Sequence, residues 1–254
     1  MKLAWITGAN GLIGNYLIQT APRFAQGSRV RALTRDQFNL LDFAAVRREF
    51  QKDQPQLVIH CAAITTISEA QKNPVLAQRV NVELTQLLAE LAAEVQFVFF
   101  STDLVFDGLK GNYAEPDAVN PLHLYGETKA AAEQIVLKNP RHTVVRTSIN
   151  GGTSLSGNRG FNEVMRQAWQ SGQGMNLFTD EFRCRFQRWK QHARSGNWAE
   201  KKVRGNLSRR RRGKIIALAD WPNARRALAL LHPKITADSP QEFFRPAALA
   251  GRFP

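Results

Sequence analysis

The sequence predicts a protein of the α/β class, built on a doubly wound parallel sheet. Three observations carry this prediction. Short apolar runs, typical of buried parallel strands, alternate with segments of helical spacing through the first 150 residues. A glycine-rich turn, TGANGLIG, directly follows the first apolar run, and hydrophobic residues make up 43% of the 254-residue chain, enough for a sizeable core. Because strand–helix–strand units cross over with one hand, this alternation indicates parallel strands with helices on both faces.

Five strands and four connecting helices are predicted in this part of the chain. The strands are expected in KLAWIT (2–7), RVRALT (29–34), PQLVIHCAA (55–63), VQFVFFST (95–102) and HTVVRTS (142–148). The helices are expected in NYLIQTAPRFAQ, FAAVRREFQKDQ, PVLAQRVNVELTQLLAELAAE and YGETKAAAEQIVLK, the last of which is rich in the strong helix formers Ala and Glu. From about Gly151 the alternation loosens: NRGFNEVMRQAWQSGQ predicts one more helix, and MNLFTDEFRC predicts a strand that runs into a loop. From Cys184 onward no periodicity is evident until NARRALALLH.

The composition excludes several classes of protein. Cys61 and Cys184 are the only cysteines, too few for a disulfide framework or a cysteine-based metal site. The sequence contains no run of about 18 apolar residues, so no membrane-spanning helix is predicted. The N-terminus lacks the long apolar core of a signal peptide. We therefore expect a cytoplasmic protein with no membrane partner and no metal.

The turn TGANGLIG, residues 7–14, predicts a dinucleotide-binding site. Its glycines permit a tight turn and bring backbone N–H groups close to a pyrophosphate, which the N-terminus of the following helix favours electrostatically. An ordinary strand-to-helix turn is the alternative. The position at residue 7 of an alternating chain favours the dinucleotide interpretation.

The end of the second predicted strand bears on the choice of cofactor. An acidic residue there would bind the ribose 2′-hydroxyl of NAD, whereas this chain has Thr34, Arg35 and Asp36. The planar guanidinium of Arg35 suits the 2′-phosphate of NADP. NADP(H) is therefore favoured. Asp36 keeps NAD(H) open, as does the alternative that Arg35 is a solvated loop charge.

Tyr125 and Lys129 in YGETK are the candidate catalytic pair, because a spacing of four places both on one helical face. Tyrosine normally has a pKa of about 10, and a nearby ammonium favours the phenolate and lowers that pKa. Tyrosine can then deliver a proton to a carbonyl oxygen while hydride reaches the carbon, and the lysine can reach a nicotinamide ribose. The pair gains weight from its place after FFSTD, where Ser101 and Thr102 follow a buried strand and either hydroxyl can bind the substrate carbonyl.

Together these residues resemble the extended short-chain dehydrogenase/reductase family, and within it the dTDP-4-dehydrorhamnose reductases. The resemblance covers roughly residues 1–184 and rests on TGANGLIG, LVIHCAAITT, RVNVELTQLLAE, FVFFSTDLVFDG, YGETKAAAE and VVRTS. STDLVFDG together with YGETK is typical of the sugar-nucleotide reductase branch. The resemblance implies Thr102, Tyr125 and Lys129 as a catalytic trio, and Asn81 as a residue that shapes the site.

The same resemblance implies a set of cofactor contacts, which include the catalytic tyrosine and lysine. They are Gly8, Asn10, Gly11, Leu12, Ile13, Gly14, Arg35, Asp42, Ala62, Ala63, Tyr125 and Lys129. Asp42 is the one acid in NLLD, where the family often has two acids near the adenine. Leu104, which replaces a tyrosine of many members, and the segment ITTISEA depart from the family pattern, so other sugar nucleotides stay open as substrates.

Two histidines have structural interpretations. His60 falls in a buried strand and is expected to be a hydrogen-bonded core residue and not a ligand. His123 lies just before Tyr125 and could line the site. No spacing of ligands typical of a metal site is evident.

The charge of the chain changes abruptly near residue 180. Residues 1–180 carry 17 basic and 16 acidic side chains, a net charge of +1, whereas residues 181–254 carry 18 and 5, a net charge of +13. Residues 1–150 are predicted to form a dinucleotide-binding Rossmann domain. Residues 151–254 are predicted to form a small substrate-binding region whose sequence is abnormal, and its fold disrupted, after about residue 184.

A shift of reading frame is one interpretation of the basic segment, which includes the run Arg209–Arg212. With codons chosen among synonyms, a one-nucleotide shift within residues 205–222 yields GIYHVAGAERLSRWQIG. A compensated shift within residues 184–200 yields CPIPAVETARAVWELAE. Both peptides resemble the family, and the second has apolar residues at helical spacing. A nucleic-acid grip, which would give steeply salt-dependent DNA binding, is the disfavoured alternative.

Three functions follow as hypotheses. The first is the NAD(P)H-dependent reduction of a nucleotide-linked 4-keto sugar by an oxidoreductase, with a homodimer kept open. The second, implied by the resemblance, is a non-catalytic nucleotide-binding relative of the methionine adenosyltransferase regulatory subunit type. The third is nucleic-acid binding through the basic region.

Overall fold

The computed structural model describes residues 2–24 and 27–175, together with the backbone of residues 214–217. Strands and helices alternate along the chain. The strands are β1 (Lys2–Thr7), β2 (Ser28–Leu33), β3 (Leu57–His60), β4 (Gln96–Thr102), β5 (Thr143–Thr147) and β6 (Lys214–Ala217). The helices are α1 (Leu12–Phe24), α2 (Phe43–Asp53), α3 (Ile67–Lys72), α4 (Pro74–Gln78), α5 (Leu84–Leu91), α6 (Leu124–Val136) and α7 (Phe161–Ser171). A π-helical turn (Arg79–Glu83) joins α4 to α5, and a 3-10 turn (Asp103–Val105) follows β4.

All six strands are parallel and lie in the order β2-β1-β3-β4-β5-β6. The chain moves outward from β1 to β2 and then returns to the other side of β1 to place β3. The strand order therefore reverses between β1 and β3. At such a switch point the connections diverge from the carboxyl ends of the strands and leave a crevice for a ligand. Thr7 and His60, the last residues of β1 and β3, lie side by side at this crevice.

Helices cover both faces of the sheet, which explains why its strands read as nearly continuous apolar runs. On one face Trp5, Phe97 and Phe99 pack with residues of α2, α5 and α6. On the other face Val98 packs in a cluster that includes Leu17 of α1. Burial of each large apolar side chain contributes about 1.5–3 kcal/mol, so this two-sided core holds the strand ends in fixed positions.

The predicted alternation is confirmed, with bounds that differ by a few residues. The five predicted strands correspond to β1 to β5, and the helix predicted in NRGFNEVMRQAWQSGQ is α7. The helix predicted in PVLAQRVNVELTQLLAELAAE is interrupted by the π-helical turn. The sequence patterns did not predict α3 or the short edge strand β6, which has only four residues.

The C-terminal predictions lie largely outside the described residues. This holds for the periodic segment NARRALALLH, for nearly all of MNLFTDEFRC, for the arginine run and for the disturbance expected after residue 184. The division of the chain at residue 150 stays a prediction. Over the residues whose placement is described, no helix has the length and apolar character needed to cross a bilayer.

Candidate cofactor and catalytic site

The glycine-rich turn connects β1 to α1 with a close approach between two loops. Gly8 has a φ of +63°, in the left-handed region that glycine adopts without strain. A Cβ atom at Gly8 would lie 2.7 Å from the backbone nitrogen of Ala62, which follows β3. A Cβ at Gly14 would lie 2.8 Å from the Cα of Ala9. The glycines therefore bring the turn against the end of β3, and α1 begins directly after the turn at Leu12.

The turn after β2 brings Arg35 and Asp36 beside the glycine-rich turn. Both residues are exposed, and the Oδ2 of Asp36 accepts a hydrogen bond of 3.2 Å from the Nδ2 of Asn10. Asp36 thus contacts Asn10 across the two turns, and the neighbouring Arg35 is open to solvent.

Asp42 has a structural role that the sequence analysis missed. It is the N-cap of α2, and its Oδ1 accepts a hydrogen bond of 2.9 Å from the backbone N–H of Ala45. An aspartate directly before a helical segment is the sequence signal for such a cap.

Ala62 and Ala63, the cofactor contacts expected after β3, belong to a segment that is held from both ends. The Oγ1 of Thr7 accepts hydrogen bonds from the N–H groups of Cys61 (3.1 Å) and Ala62 (3.2 Å). The side chain of Asn81, in the π-helical turn, accepts from the N–H of Ile64 (2.9 Å) and donates to its carbonyl oxygen (3.1 Å). The segment 61–64 therefore has a fixed path along the crevice.

Lys129 lies in the interior between α6 and β4. It is 2% exposed, and its Nζ donates a hydrogen bond of 2.6 Å to the carbonyl oxygen of Phe100. The Nζ also lies 3.8 Å from the centre of the Phe99 ring, a cation–π distance. Burial lowers the pKa of Lys129 to about 7, against the opposing effects of Glu133 and Cys61. A lysine with such a pKa can exchange a proton near neutral pH.

Tyr125 lies one turn before Lys129 on α6 and is 8% exposed. The start of this helix is fixed by His123, whose Nδ1 accepts a hydrogen bond of 3.3 Å from the N–H of Gly126. His123 is therefore a helix cap. Asn81 reaches the same helix, because its Nδ2 donates to the Oγ1 of Thr128 (3.0 Å), which donates to the carbonyl oxygen of Tyr125 (2.8 Å).

The hydroxyl groups at the end of β4 complete the candidate site. Thr102 is the last residue of β4, and its Oγ1 accepts a hydrogen bond of 3.2 Å from the N–H of Leu104. Ser101 alternates with it and faces the side of the sheet that carries α6, as Phe99 does. The Ser101 Oγ is buried and has no hydrogen-bond partner among the described residues. The structure thus brings both hydroxyl groups to the strand against which the Tyr125 helix packs.

A buried ion pair secures this helix and was missed by the sequence analysis. Arg146 of β5 donates from Nε to Glu133 Oε1 (2.9 Å) and from Nη2 to Oε2 (2.6 Å), and the two side chains are 7% and 0% exposed. The signal in the sequence was a lone arginine inside the apolar strand VVRTS, which follows the helix that carries Glu133.

His60 is buried and hydrogen-bonded through both ring nitrogens, which confirms the core interpretation. Among residues 2–24 and 27–175, His, Cys, Asp and Glu side chains form no group that could hold a metal ion. The glycine-rich turn at the N-terminus of α1, with segment 61–64 packed against it, has the close backbone approach that a dinucleotide pyrophosphate requires.

Two features define the class of protein. The parallel sheet has its switch point at a glycine-rich turn, and a Tyr–Lys pair lies on the helix that packs against β4. The protein therefore has a Rossmann fold of the extended short-chain dehydrogenase/reductase type. This type includes several families that differ in substrate. The chain belongs to the RmlD substrate binding domain family, whose model matches residues 1–185.

Comparisons with single proteins agree with this assignment. The chain is 38% identical over 148 residues to a dTDP-4-dehydrorhamnose reductase of Streptomyces griseus, a match that covers 56% of this chain and 48% of that protein. It is 37% identical over 144 residues to the methionine adenosyltransferase 2 subunit beta of Bos taurus, covering 53% and 42%. A solved dTDP-4-dehydrorhamnose reductase of Bacillus anthracis, in complex with NADP, is 27% identical with a TM-score of 0.57, covering 67% of this chain and 61% of that one. The chain spans about half the length of the curated relatives it matches.

Proposed function

We propose that the protein reduces a nucleotide-linked 4-keto sugar with NADPH. Its relatives include a protein named dTDP-4-dehydrorhamnose reductase and a solved reductase of that name in complex with NADP. The observation that carries the proposal is the desolvated Lys129 one helical turn from Tyr125, on a helix that packs against the strand ending in Thr102. A tyrosine that must act as an acid near neutral pH needs such a cation beside it.

The proposed chemistry divides between the cofactor and three side chains. NADPH, when bound, supplies the hydride. The phenol of Tyr125 donates a proton to the carbonyl oxygen, and the hydroxyl of Thr102 orients that oxygen by a hydrogen bond. The ammonium of Lys129 stabilises the phenolate that remains and can return a proton to it, and the lysine pKa of about 7 allows Lys129 to take up another proton near neutral pH.

The cofactor residues are proposed from their positions at the switch point. The turn from Gly8 to Gly14 would hold the pyrophosphate at the N-terminus of α1. Ala62 and Ala63 would line the cofactor along segment 61–64. Arg35, exposed beside the Asn10–Asp36 pair, would bind the 2′-phosphate and favour NADPH over NADH.

The direct test is the oxidation of NADPH by the purified protein in the presence of dTDP-4-dehydro-6-deoxy-L-mannose. We expect loss of the reduced-nicotinamide absorbance that depends on the sugar nucleotide and is abolished in Tyr125→Phe. A panel of other 4-keto sugar nucleotides tests the substrate, because Leu104 and ITTISEA depart from the family pattern. NADPH binding without turnover of any of these sugars would contradict a reductase function.

A second candidate function is a nucleotide-binding regulatory subunit. The observation that favours it is the similarity to the methionine adenosyltransferase 2 subunit beta of several vertebrates, at 36–39% identity. This candidate predicts NADPH binding without sugar reduction, together with a stable complex with a methionine adenosyltransferase catalytic subunit. Co-elution of the two proteins in size-exclusion chromatography would distinguish it from the reductase. The same experiment reports whether the protein alone is a homodimer.

A further inference from the structure

A buried chain of hydrogen bonds runs under the crevice from β1 to α6. It starts at Thr7, passes through the ring of His60 to Thr85 and reaches Asn81 in the π-helical turn. These four residues are 0–1% exposed, so water does not compete for their hydrogen bonds.

The first half of this chain fixes the tautomer of His60. Thr7 Oγ1 already accepts hydrogen bonds from the N–H groups of Cys61 and Ala62. Its own proton must therefore go to the Nδ1 of His60, 2.7 Å away. With Nδ1 as the acceptor, the neutral ring carries its hydrogen on Nε2.

The second half of the chain agrees with this tautomer. The Nε2 of His60 donates to the Oγ1 of Thr85 at 3.1 Å, and the Thr85 hydroxyl donates to the carbonyl oxygen of Asn81 at 2.7 Å. Every donor then meets an acceptor, with one direction from Thr7 to Asn81. Burial, together with the charge of Lys129, lowers the pKa of His60 to about 3, so the ring is neutral at physiological pH.

This chain of hydrogen bonds joins Thr7 and Asn81, the two residues that hold segment 61–64 at its ends. Thr7 binds the N–H groups of Cys61 and Ala62 at one end of the segment, and Asn81 binds both backbone groups of Ile64 at the other. Asn81 also reaches α6 through Thr128. Among the described residues, His60 is the one side chain that links these two ends. It bonds Thr7 directly, and it reaches Asn81 through Thr85.

We propose that His60, as its Nε2–H tautomer, is a positioning residue that sets segment 61–64 between the glycine-rich turn and the Tyr125 helix. This inference rests on the proposed function, since it assumes that the segment faces NADP(H). The Thr7 side of the ring positions the cofactor contacts at Ala62 and Ala63. The Thr85 side positions Asn81 and, through Thr128, the start of α6.

Three substitutions at His60 separate the two sides of the ring. Asn places its amide oxygen near the position of Nδ1 and keeps an acceptor for Thr7. Gln places its amide nitrogen near the position of Nε2 and keeps a donor for Thr85. Leu has a similar volume and keeps neither. We expect the Kd for NADPH to rise about tenfold in His60→Leu and in His60→Gln, equivalent to about 1.4 kcal/mol, and by less than about threefold in His60→Asn. Among variants with measurable turnover, kcat should fall more in His60→Asn than in His60→Gln.

His142 provides the matched control. It is also buried, at 2% exposure, and its ring contacts Phe97 at a tilted angle as that of His60 does, but it lies just before β5, at the amino ends of the strands. His142→Leu should lower the melting temperature and leave the Kd for NADPH unchanged. Equal weakening of NADPH binding by His60→Leu and His142→Leu would overturn the proposal.

Heteronuclear NMR of the ring nitrogens gives a test that needs no substitution. At neutral pH the resonances of His60 should show a protonated Nε2 and an unprotonated Nδ1, and the opposite tautomer would refute the chain as assigned. A protein that binds NADPH but reduces no sugar nucleotide would contradict the proposed function alone, because the order of the Kd values still reports on positioning. A protein that binds no NADPH would contradict both.

Discussion

Replacement of Lys129 by methionine should remove a specific dependence of stability on pH. Lysine and methionine are similar in length, but methionine carries no proton, so the substitution isolates the cost of a buried ammonium. The experiment uses the purified protein with no cofactor added, and the contacts at issue are those of Lys129 with Phe99 and the carbonyl oxygen of Phe100.

The magnitude follows from the two pKa values of this lysine. Its pKa is about 7 in the folded protein against a reference value of 10.5. Between these values the unfolded chain holds the proton and the folded protein has lost it, so the free energy of unfolding increases with pH. From pH 7 to pH 9 this single group should add about 2 kcal/mol, at ~1.4 kcal/mol per pKa unit.

Neighbouring groups do not disturb this window. The folded pKa of His60 is about 3, so its contribution to stability changes only below its ordinary value of 6.5. Burial raises the pKa of Cys61 to about 12 from 9.0, which lowers stability as the pH rises above 9. The window from pH 7 to pH 9 therefore reports mainly on Lys129.

Urea unfolding at intervals between pH 7 and pH 9 measures the effect. The free energy of unfolding of the parent should rise relative to that of Lys129→Met by about 2 kcal/mol across this range. Lys138→Met, which removes an exposed lysine just beyond the end of α6, is the control and should run parallel to the parent. Parallel profiles for the parent and Lys129→Met would refute the argument that this ammonium is desolvated.

Four further predictions test other parts of the molecule. Tyr125→Phe should reduce kcat by about 10²-fold or more, as for other positioned acids, while NADPH affinity changes little; normal turnover in steady-state assays would exclude Tyr125 as the acid. Arg35→Ala should weaken NADPH binding by about 1.5–3 kcal/mol and leave NADH binding nearly unchanged; equal binding of both cofactors by the parent would remove this role. Glu133→Gln leaves Arg146 buried without its carboxylate and should destabilise the fold by about 3–5 kcal/mol in urea unfolding, whereas Glu94→Gln, which breaks an exposed pair with Arg141, should cost ~1 kcal/mol or less. Sequencing of the gene over codons 184–223 should reveal insertions or deletions against close relatives; an intact frame shared with those relatives would contradict the frameshift interpretation.

The family match bears on the last of these predictions. The RmlD substrate binding domain model matches residues 1–185, and the change in charge and the loss of periodicity begin at nearly the same place, beside Cys184. The matched range thus ends close to the step in charge, and the frameshift interpretation stays a prediction that sequencing of the gene tests.

The sequence alone determined the features that depend on neighbouring residues. Alternating apolar runs predicted the strands, helical spacing predicted the helices, and TGANGLIG predicted the turn at the N-terminus of α1, because strand and helix periods and turn chemistry are local properties. The spacing of Tyr125 and Lys129 likewise followed from the helical period, and His60 was correctly placed in the core because its strand is apolar on both sides.

Only the tertiary structure decided the features that join distant parts of the chain. The hydrogen bond between the side chains of Thr7 and His60 joins residues 53 positions apart. It forms because the strand order places β1 beside β3. The Glu133–Arg146 pair and the desolvation of Lys129 depend on how α6 packs against β4 and β5. The π-helical turn that directs Asn81 toward Ile64 leaves no periodic signal, since it inserts into a helix whose apolar pattern continues on either side. Such contacts are fixed by the packing of elements against one another, which local sequence patterns do not encode.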